Sequence, residues 1–198
     1  MKNSETSMPL VLILAAAGPR YTHPETTIEA RNPFVIEGKT VRILLHGGDF
    51  VLIDCDDFPR TASLRWSPSG HGYAQTNYRV GAKKTRLSLH RFLFGSAAEG
   101  VIVDHINGVR QDCRRSNLRF CTARENVYNR GPSKSSRTGY KGVIMNNSTG
   151  RYEAQIKHNR VKIRLGIYDT IEEAAAAYDR AALKLFGNYA RLNLVKKG

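Results

Sequence analysis

The stretch "TIEEAAAAYDRAALKLFG", residues 170–187, leaves little freedom in what this chain can fold into. Thr170 and Glu173 make a capping box, in which two side chains satisfy backbone N–H groups left over at the start of a helix. Gly187 is placed where helices commonly end on a left-handed residue. Ile171, Ala174, Ala175, Tyr178, Ala182 and Leu185 recur at helical spacing, and the alanines among them let the helix lie close to whatever it covers. That partner is legible just upstream. "YKGVIMNN", "RYEAQIKHN" and "VKIRLGIYD" are three short runs separated by Ser148, Thr149 and Gly150 and by Asn159 and Arg160. In the second run Arg151, Glu153, Gln155 and Lys157 alternate with Tyr152, Ala154 and Ile156; in the third, Lys162 and Arg164 alternate with Val161, Ile163 and Leu165. A period of two predicts a three-stranded antiparallel sheet with one dry face under the helix and one wet, mostly basic face. The first run alternates poorly, and its facing stays open.

Charge is distributed unevenly. The chain carries 31 Lys and Arg against 17 Asp and Glu, a net +14, and residues 130–198 alone hold 14 basic and 5 acidic residues, a net of +9. Such an excess implies a polyanionic partner, because Lys and Arg displace counterions condensed on nucleic-acid phosphates. An anionic membrane is the other surface of that kind, but no long basic amphipathic helix is present to lie on one. The basic sheet of a structural RNA-binding protein would want exposed aromatics for base stacking, and the charge-bearing strand positions here are not aromatic. The apolar run "PLVLILAAA", residues 9–17, is far short of the ~20 residues that span a bilayer. "AAAG" resembles a signal-peptide cleavage site, but Lys2 is offset by Glu5, so the run is read as a buried strand or an ordered arm. Cys55, Cys113 and Cys121 form no CxxC pair, which points to reduced thiols in a cytosolic protein.

Residues 131–139, "GPSKSSRTG", read as a linker, with almost nothing to bury. At the other end, Pro9, Pro19, Pro24 and Pro33 break any long element and leave 1–34 as an irregular arm. From about residue 35 short strands take over. "TVRILLHGGDFVLID" gives two around Gly47 and Gly48, while "GYAQTNYRV" and "KTRLSLHRFLFG" give two more, the last turning helical near Arg91.

The residues suited to chemistry gather in 103–130, "VDHINGVRQDCRRSNLRFCTARENVYNR". "GVIVDHI" predicts a strand ending in Asp104 and His105, "SNLRFCT" a second strand, and "TARENVYNR" a helix opened by the capping box of Thr122 and Glu125. A hairpin followed by a crossing helix is expected to bring Asp104 and Asn126 together. Hydrolysis of a phosphodiester needs an activated water and a charge to stabilise the pentacovalent transition state. A histidine titrating near neutrality can deprotonate the water. A carboxylate and an amide oxygen can hold a hard cation such as Mg²⁺ and leave positions for phosphate and water. An asparagine on the facing strand, Asn117, can bond across the hairpin and fix the histidine. Singly, these residues read as a turn with a surface imidazole, a turn cap and a polar helix position. Together in one β-loop-β-α segment, with Arg114, Arg115, Arg119 and Arg124 interleaved, they point to a one-metal site that cuts a phosphodiester.

With "LHRFLFG" ahead of it, this segment resembles the HNH endonucleases, particularly the phage and intron-encoded ones whose third position is Asn. The resemblance runs from about residue 40 to 130, because "LLHGGDFVLIDCDDF" is similar to the leader of such proteins. It implies a ββα-metal unit in which Asp104 and Asn126 hold the metal, His105 is the general base and Asn117 supports it. His90, in "LHR", matches a recurrent family feature that a packing role explains equally well. The loop "NGVRQDCRRSN" departs from relatives that carry more Asn or Asp, and leaves the four positions intact. The segment from "GYKGV" to "RLNL" is similar to the AP2 DNA-binding domain, known from plant transcription factors and also fused to HNH nucleases. That resemblance implies DNA contacts at Lys141, Ile144, Asn146, Gln155, Lys157, Lys162 and Arg164, with Tyr178 near a phosphate. Ile144 replaces the family's arginine and Arg164 an aromatic, so the plant family's target sequence is not implied.

The expected architecture is α+β. An irregular arm (1–34) precedes a β-rich leader and ββα-metal HNH unit (35–130, core 90–130), a linker (131–139), and a three-stranded antiparallel sheet packed on one helix (140–194). The expected function is homing-type, site-specific cleavage of double-stranded DNA with one divalent metal, magnesium or else manganese. A monomer in the cytoplasm is expected, that of a host cell if the chain is phage-encoded. The rival is a non-catalytic, sequence-specific DNA-binding regulator in which the HNH segment is only a fold.

Overall fold

The computed structural model describes residues 20–23, 26–95 and 98–194. It has the mixed α and β character expected, with small antiparallel sheets and short helices, and divides after Phe120 into two compact units. Among the described residues no helix is long and apolar enough to cross a membrane. The run 9–17 lies outside the described residues.

In the first unit, β1 (Arg20–His23) and β2 (Thr26–Glu29) pair antiparallel, so the segment expected as an irregular arm contains a short hairpin. Next comes an antiparallel meander of β3 (Phe34–Glu37), β4 (Thr40–Leu44) and β5 (Phe50–Asp54). Val41 opposes Ile53 and Ile43 opposes Val51, and these four alternating positions form the floor of the core. Between β4 and β5, Gly47 and Gly48 both sit at φ 83°, a left-handed conformation that side chains resist. α1 (Phe58–Ala62) closes the layer, with Phe58 and Phe34 ring centroids 4.4 Å apart. Trp66 is fully buried, and its indole N–H donates to the Thr61 carbonyl at 3.0 Å. Asn32 ties this corner together. Its amide donates to the Leu44 and Trp66 carbonyls, and its oxygen accepts from Trp66 N, which is how a buried amide avoids a desolvation penalty. β6 (Ser67–Pro68), β7 (Ala74–Val80) and β8 (Lys83–Ser88) make a second sheet that leads into α2 (Leu89–Phe94). β9 (Val101–His105) and β10 (Leu118–Thr122) pair as a hairpin of their own.

In the second unit, α3 (Ala123–Asn129) opens on the predicted capping box. Thr122 Oγ1 accepts from Glu125 N at 3.2 Å, and the Glu125 carboxylate accepts from Thr122 N at 2.7 Å. β11 (Val143–Met145), β12 (Tyr152–His158) and β13 (Val161–Tyr168) form the predicted antiparallel sheet in that order. α4 (Ile171–Phe186), capped by Thr170 and Glu173, covers it. Val143, Ala154 and Ile156 from the strands pack on Ala174, Ala175, Tyr178 and Ala182. The approach at Gly142 admits no side chain, since a Cβ built there would stand 2.2 Å from the Tyr178 ring.

One expectation is corrected here. The dry face of β13 does not run its whole length, because Val161 and Ile163 are exposed and cover begins at Leu165. The register shifts between Ala154 and Gln155, so Ile167 falls opposite Glu153 on the open face. By compactness the chain divides after Phe120, ahead of residues 131–139. The Tyr128 ring stacks on Phe186 with centroids 3.9 Å apart and planes 10° from parallel. Its carbonyl accepts from Lys141 Nζ and from Arg191 N. α3 is thereby part of the second unit's core.

Candidate functional site

β9 delivers Asp104 and His105 to the start of a loop, and both are buried. The loop is not loose. Leu52 N donates to the Gln111 carbonyl and Cys113 N to the Leu52 carbonyl, both at 2.8 Å, so the loop runs as a short parallel partner of β5. Asp112 receives Arg114 through two parallel bonds of 2.8 Å and Asn107 at 3.0 Å. The guanidinium holds the Asp112 carboxyl below the usual carboxylate range. Arg115 grips Asp57 with two 2.8 Å bonds, and its backbone N–H donates to Asp54 at 2.7 Å. The leader sheet thus acts as the anvil on which the loop is set.

Asn117 does bond across the hairpin, but to the loop. Its oxygen accepts from Asn107 N at 2.9 Å, and its amide donates to Asn107 Oδ1 and the Asp112 carbonyl at 3.0 and 2.8 Å. It therefore fixes the main chain that follows His105. The His105 ring meets His90 edge-on, centroids 5.0 Å apart, and Tyr73 at 5.9 Å. Burial lowers the His105 pKa, partly opposed by Asp104 and Asp112, which leaves a neutral imidazole near pH 7. Burial, with His105 and Arg91 nearby, pushes His90 down to about 3. Cys113 Sγ lies 3.7 Å from His105 Nε2, and burial pushes that thiol up to about 12, so it stays protonated. Arg119 bridges to Asp104 Oδ2 at 3.0 Å. Three of the four interleaved arginines, Arg114, Arg115 and Arg119, are therefore each paired with a carboxylate.

Asp104, His105 and Asn117 come together in the first unit. Asn126 is half-buried on α3 and belongs to the second. Among the described residues no group of three or more His, Cys, Asp and Glu could enclose a metal. Asp104 offers a carboxylate, a hard oxygen donor of the kind that Mg²⁺ or Mn²⁺ takes. The sequence reading overlooked Tyr73, Asp57 and the brace at Asp112. The "QDC" in the loop is the signal that could have found Asp112, whereas Tyr73 carries none.

On the sheet, Lys157, Lys162 and Arg164 are exposed as expected, with Arg164 3.3 Å from Glu153. Ile144 is exposed, and Asn146 is spent on the turn, its oxygen accepting from Ser148 N at 2.9 Å. Gln155 is half-buried, and its buried Oε1 has no hydrogen-bond partner among the described residues. Lys141 is drawn inward to the Tyr128 carbonyl, and burial beside Arg191 and Arg130 lowers it to about 8. Tyr178 is 2% exposed and belongs to the core over Gly142, with burial raising its hydroxyl pKa.

Residues 91–128 match the model of the HNH endonuclease family, and residues 138–188 that of the AP2 domain. Over 180 residues the chain is 29% identical to an uncharacterized HNH endonuclease of Acanthamoeba polyphaga mimivirus, covering 87% of this chain and 91% of that protein. Its C-terminal part is 48% identical over 67 residues to the AP2-like ethylene-responsive transcription factor TOE2 of Arabidopsis thaliana. It is 45% identical over 69 residues to the ethylene-responsive transcription factor ERN2 of Medicago truncatula. These two matches each cover 33% of this chain, and only 13% and 22% of the plant proteins. No solved structure matches. One segment of the chain is thus similar to HNH endonucleases and the segment after it to AP2 domains.

Proposed function

We propose that this protein is a site-specific DNA endonuclease of the homing type, with His105 as general base and one divalent metal. The observation that carries the reading is the buried Asp104 and His105 pair at the end of β9, on a loop bonded to the leader sheet. Asp104 and Asn126 would hold the metal, Mg²⁺ with Mn²⁺ as substitute, which when bound supplies the charge that offsets the pentacovalent phosphate. His105, neutral because it is buried, takes the proton of the attacking water. Asn117 keeps the imidazole in place by holding Asn107 and Asp112. The AP2 domain grips duplex DNA with Lys157, Lys162, Arg164 and Gln155, and the protein acts as a monomer. Lys141 and Tyr178 are structural in this reading.

One observation favours the rival, a non-catalytic DNA-binding regulator: Arg119 already engages the Asp104 carboxylate. Purified protein incubated with a pooled DNA library, with Mg²⁺ or with chelator, separates the two once the ends are sequenced. Metal-dependent ends at a recurrent sequence are expected. His105→Ala should cut ~10²–10⁴-fold more slowly at unchanged DNA affinity. Binding without any scission would leave the regulator, and equal cutting by His105→Ala would remove the general-base role.

A further inference from the structure

Beside α3 lies an open groove of about 980 Å³, walled by Arg124, Val127 and Tyr128 on the helix and by β12, the Asn159–Arg160 turn and Phe186 opposite. Five cations line it, Arg124, Lys141, Lys157, Arg160 and Lys162, and among the described residues its lining includes no Asp or Glu. Elsewhere in the described unit, Arg151 is paired with Asp169 and Arg164 with Glu153. Arg124, Lys157, Arg160 and Lys162 form no ion pair among the described residues. Arg160 is also held at φ 68° after Asn159 at φ 49°, the left-handed pair of a tight hairpin turn whose second position favours glycine. The chain thus keeps a guanidinium at the hairpin tip in a conformation that disfavours it. The groove exists because Tyr128 fastens α3 to Phe186. In its wall, the buried Gln155 Oε1 is an acceptor without a donor among the described residues.

We propose that this groove seats the sugar–phosphate backbone of the bound DNA, with Arg124 and Arg160 as phosphate contacts. The inference rests on the AP2 domain holding duplex DNA, and adds where one strand of it runs. The strand leaves the open face of the sheet past Lys157 and Lys162, passes the part of β12 beyond Ala154, which β11 does not pair, and meets Arg124 on α3. Because Arg124 and Asn126 share one short helix, the nuclease segment touches the same strand that the AP2 domain holds. These contacts read charge and not sequence, so they add affinity for any duplex alike.

The test uses the full chain in chelator, so that binding is measured without cleavage. Affinities are taken over a salt series for a library-selected duplex and a scrambled duplex. The double variant Arg124→Gln, Arg160→Gln should lower the slope of log affinity against log salt by about 1.8 on both duplexes, since each phosphate contact contributes about 0.9. The ratio between the two duplexes should not change. Arg160→Gly alone should lower the slope by about 0.9 while melting no lower than wild type, because it relieves the turn. Duplexes carrying single neutral methylphosphonates should weaken wild type at one or two positions and lose that effect in the double variant. An unchanged slope, or the same fall from Arg180→Gln with Lys184→Gln on the outer side of α4, would overturn the groove. Failure of wild type to bind either duplex would instead overturn the reading of the AP2 domain as a DNA binder.

Discussion

Arg119 donates to Asp104 Oδ2 from both Nε and Nη2, at 3.2 and 3.0 Å, across the hairpin of β9 and β10. The carboxylate proposed to hold a metal therefore already has a cation beside it. A guanidinium and a divalent ion compete for the same charge, so under the proposed reading the pair would set how much metal the site needs.

Arg119→Gln should accordingly lower the Mg²⁺ concentration for half-maximal cleavage, by roughly tenfold if the pair is worth about 1.4 kcal/mol. Titration of cleavage rate against Mg²⁺ checks this, with thermal denaturation run alongside. A loss of stability with an unchanged or raised metal requirement would make the pair purely structural.

Asn117 offers a second test. Removing its amide leaves Asn107 and Asp112 without three bonds, in a partly buried setting where each lost partner matters. Asn117→Ala should cost about 1–3 kcal/mol of stability. Cleavage should fall further than DNA affinity, and Asn117→Asp, which keeps the acceptor, should recover part of the rate. Loss of DNA binding in step with cleavage would refute a role at His105.

The place of α3 can be measured on fragments. Residues 121–198 keep Tyr128 on Phe186, whereas residues 131–198 leave that ring face and Leu185 exposed. The longer fragment should be more stable by about 1–3 kcal/mol in urea denaturation, from apolar burial and ring stacking. Equal midpoints would show that the helix only rests there.

His90 gives the protein an acid-side weakness. Its folded pKa is about 3 against an ordinary 6.5, so below pH 6.5 the unfolded chain binds a proton that the folded chain refuses. Stability is then complete above about pH 6.5 and falls at up to about 1.4 kcal/mol per pH unit as pH drops toward 3. His90→Phe should flatten that slope. Denaturation midpoints from pH 7 to 4 decide it, and identical slopes for both proteins would contradict the assignment.

Local signals were the readable part of this chain. Both capping boxes, the alternation of β12, and the strand that ends at Asp104 and His105 follow from spacing alone. What spacing could not reveal were relations made by distant residues. Asp57 looks like a surface acid in sequence, yet it is buried and answers Arg115 across 58 positions. Val161 and Ile163 alternate like core residues, but they lie at the hairpin end, where they stay exposed. Tyr178 is a similar case. Its spacing marks a buried stripe, the family likeness implies a place near a phosphate, and the structure buries the ring over the bare backbone of Gly142.

The clasp between Leu52 and Cys113 also sets an order of events in time. It joins strands whose residues are 61 positions apart, so it cannot close until a long stretch of chain has been gathered in. The second unit has no such delay around its sheet, where β12 and β13 meet across a tight turn and α4 is capped by a residue three positions away. During refolding the basic sheet and its helix should reach native form first, and the loop behind His105 should lock only when the leader sheet arrives. Under the proposed reading, a refolding chain would then hold its nucleic acid before it could harm it.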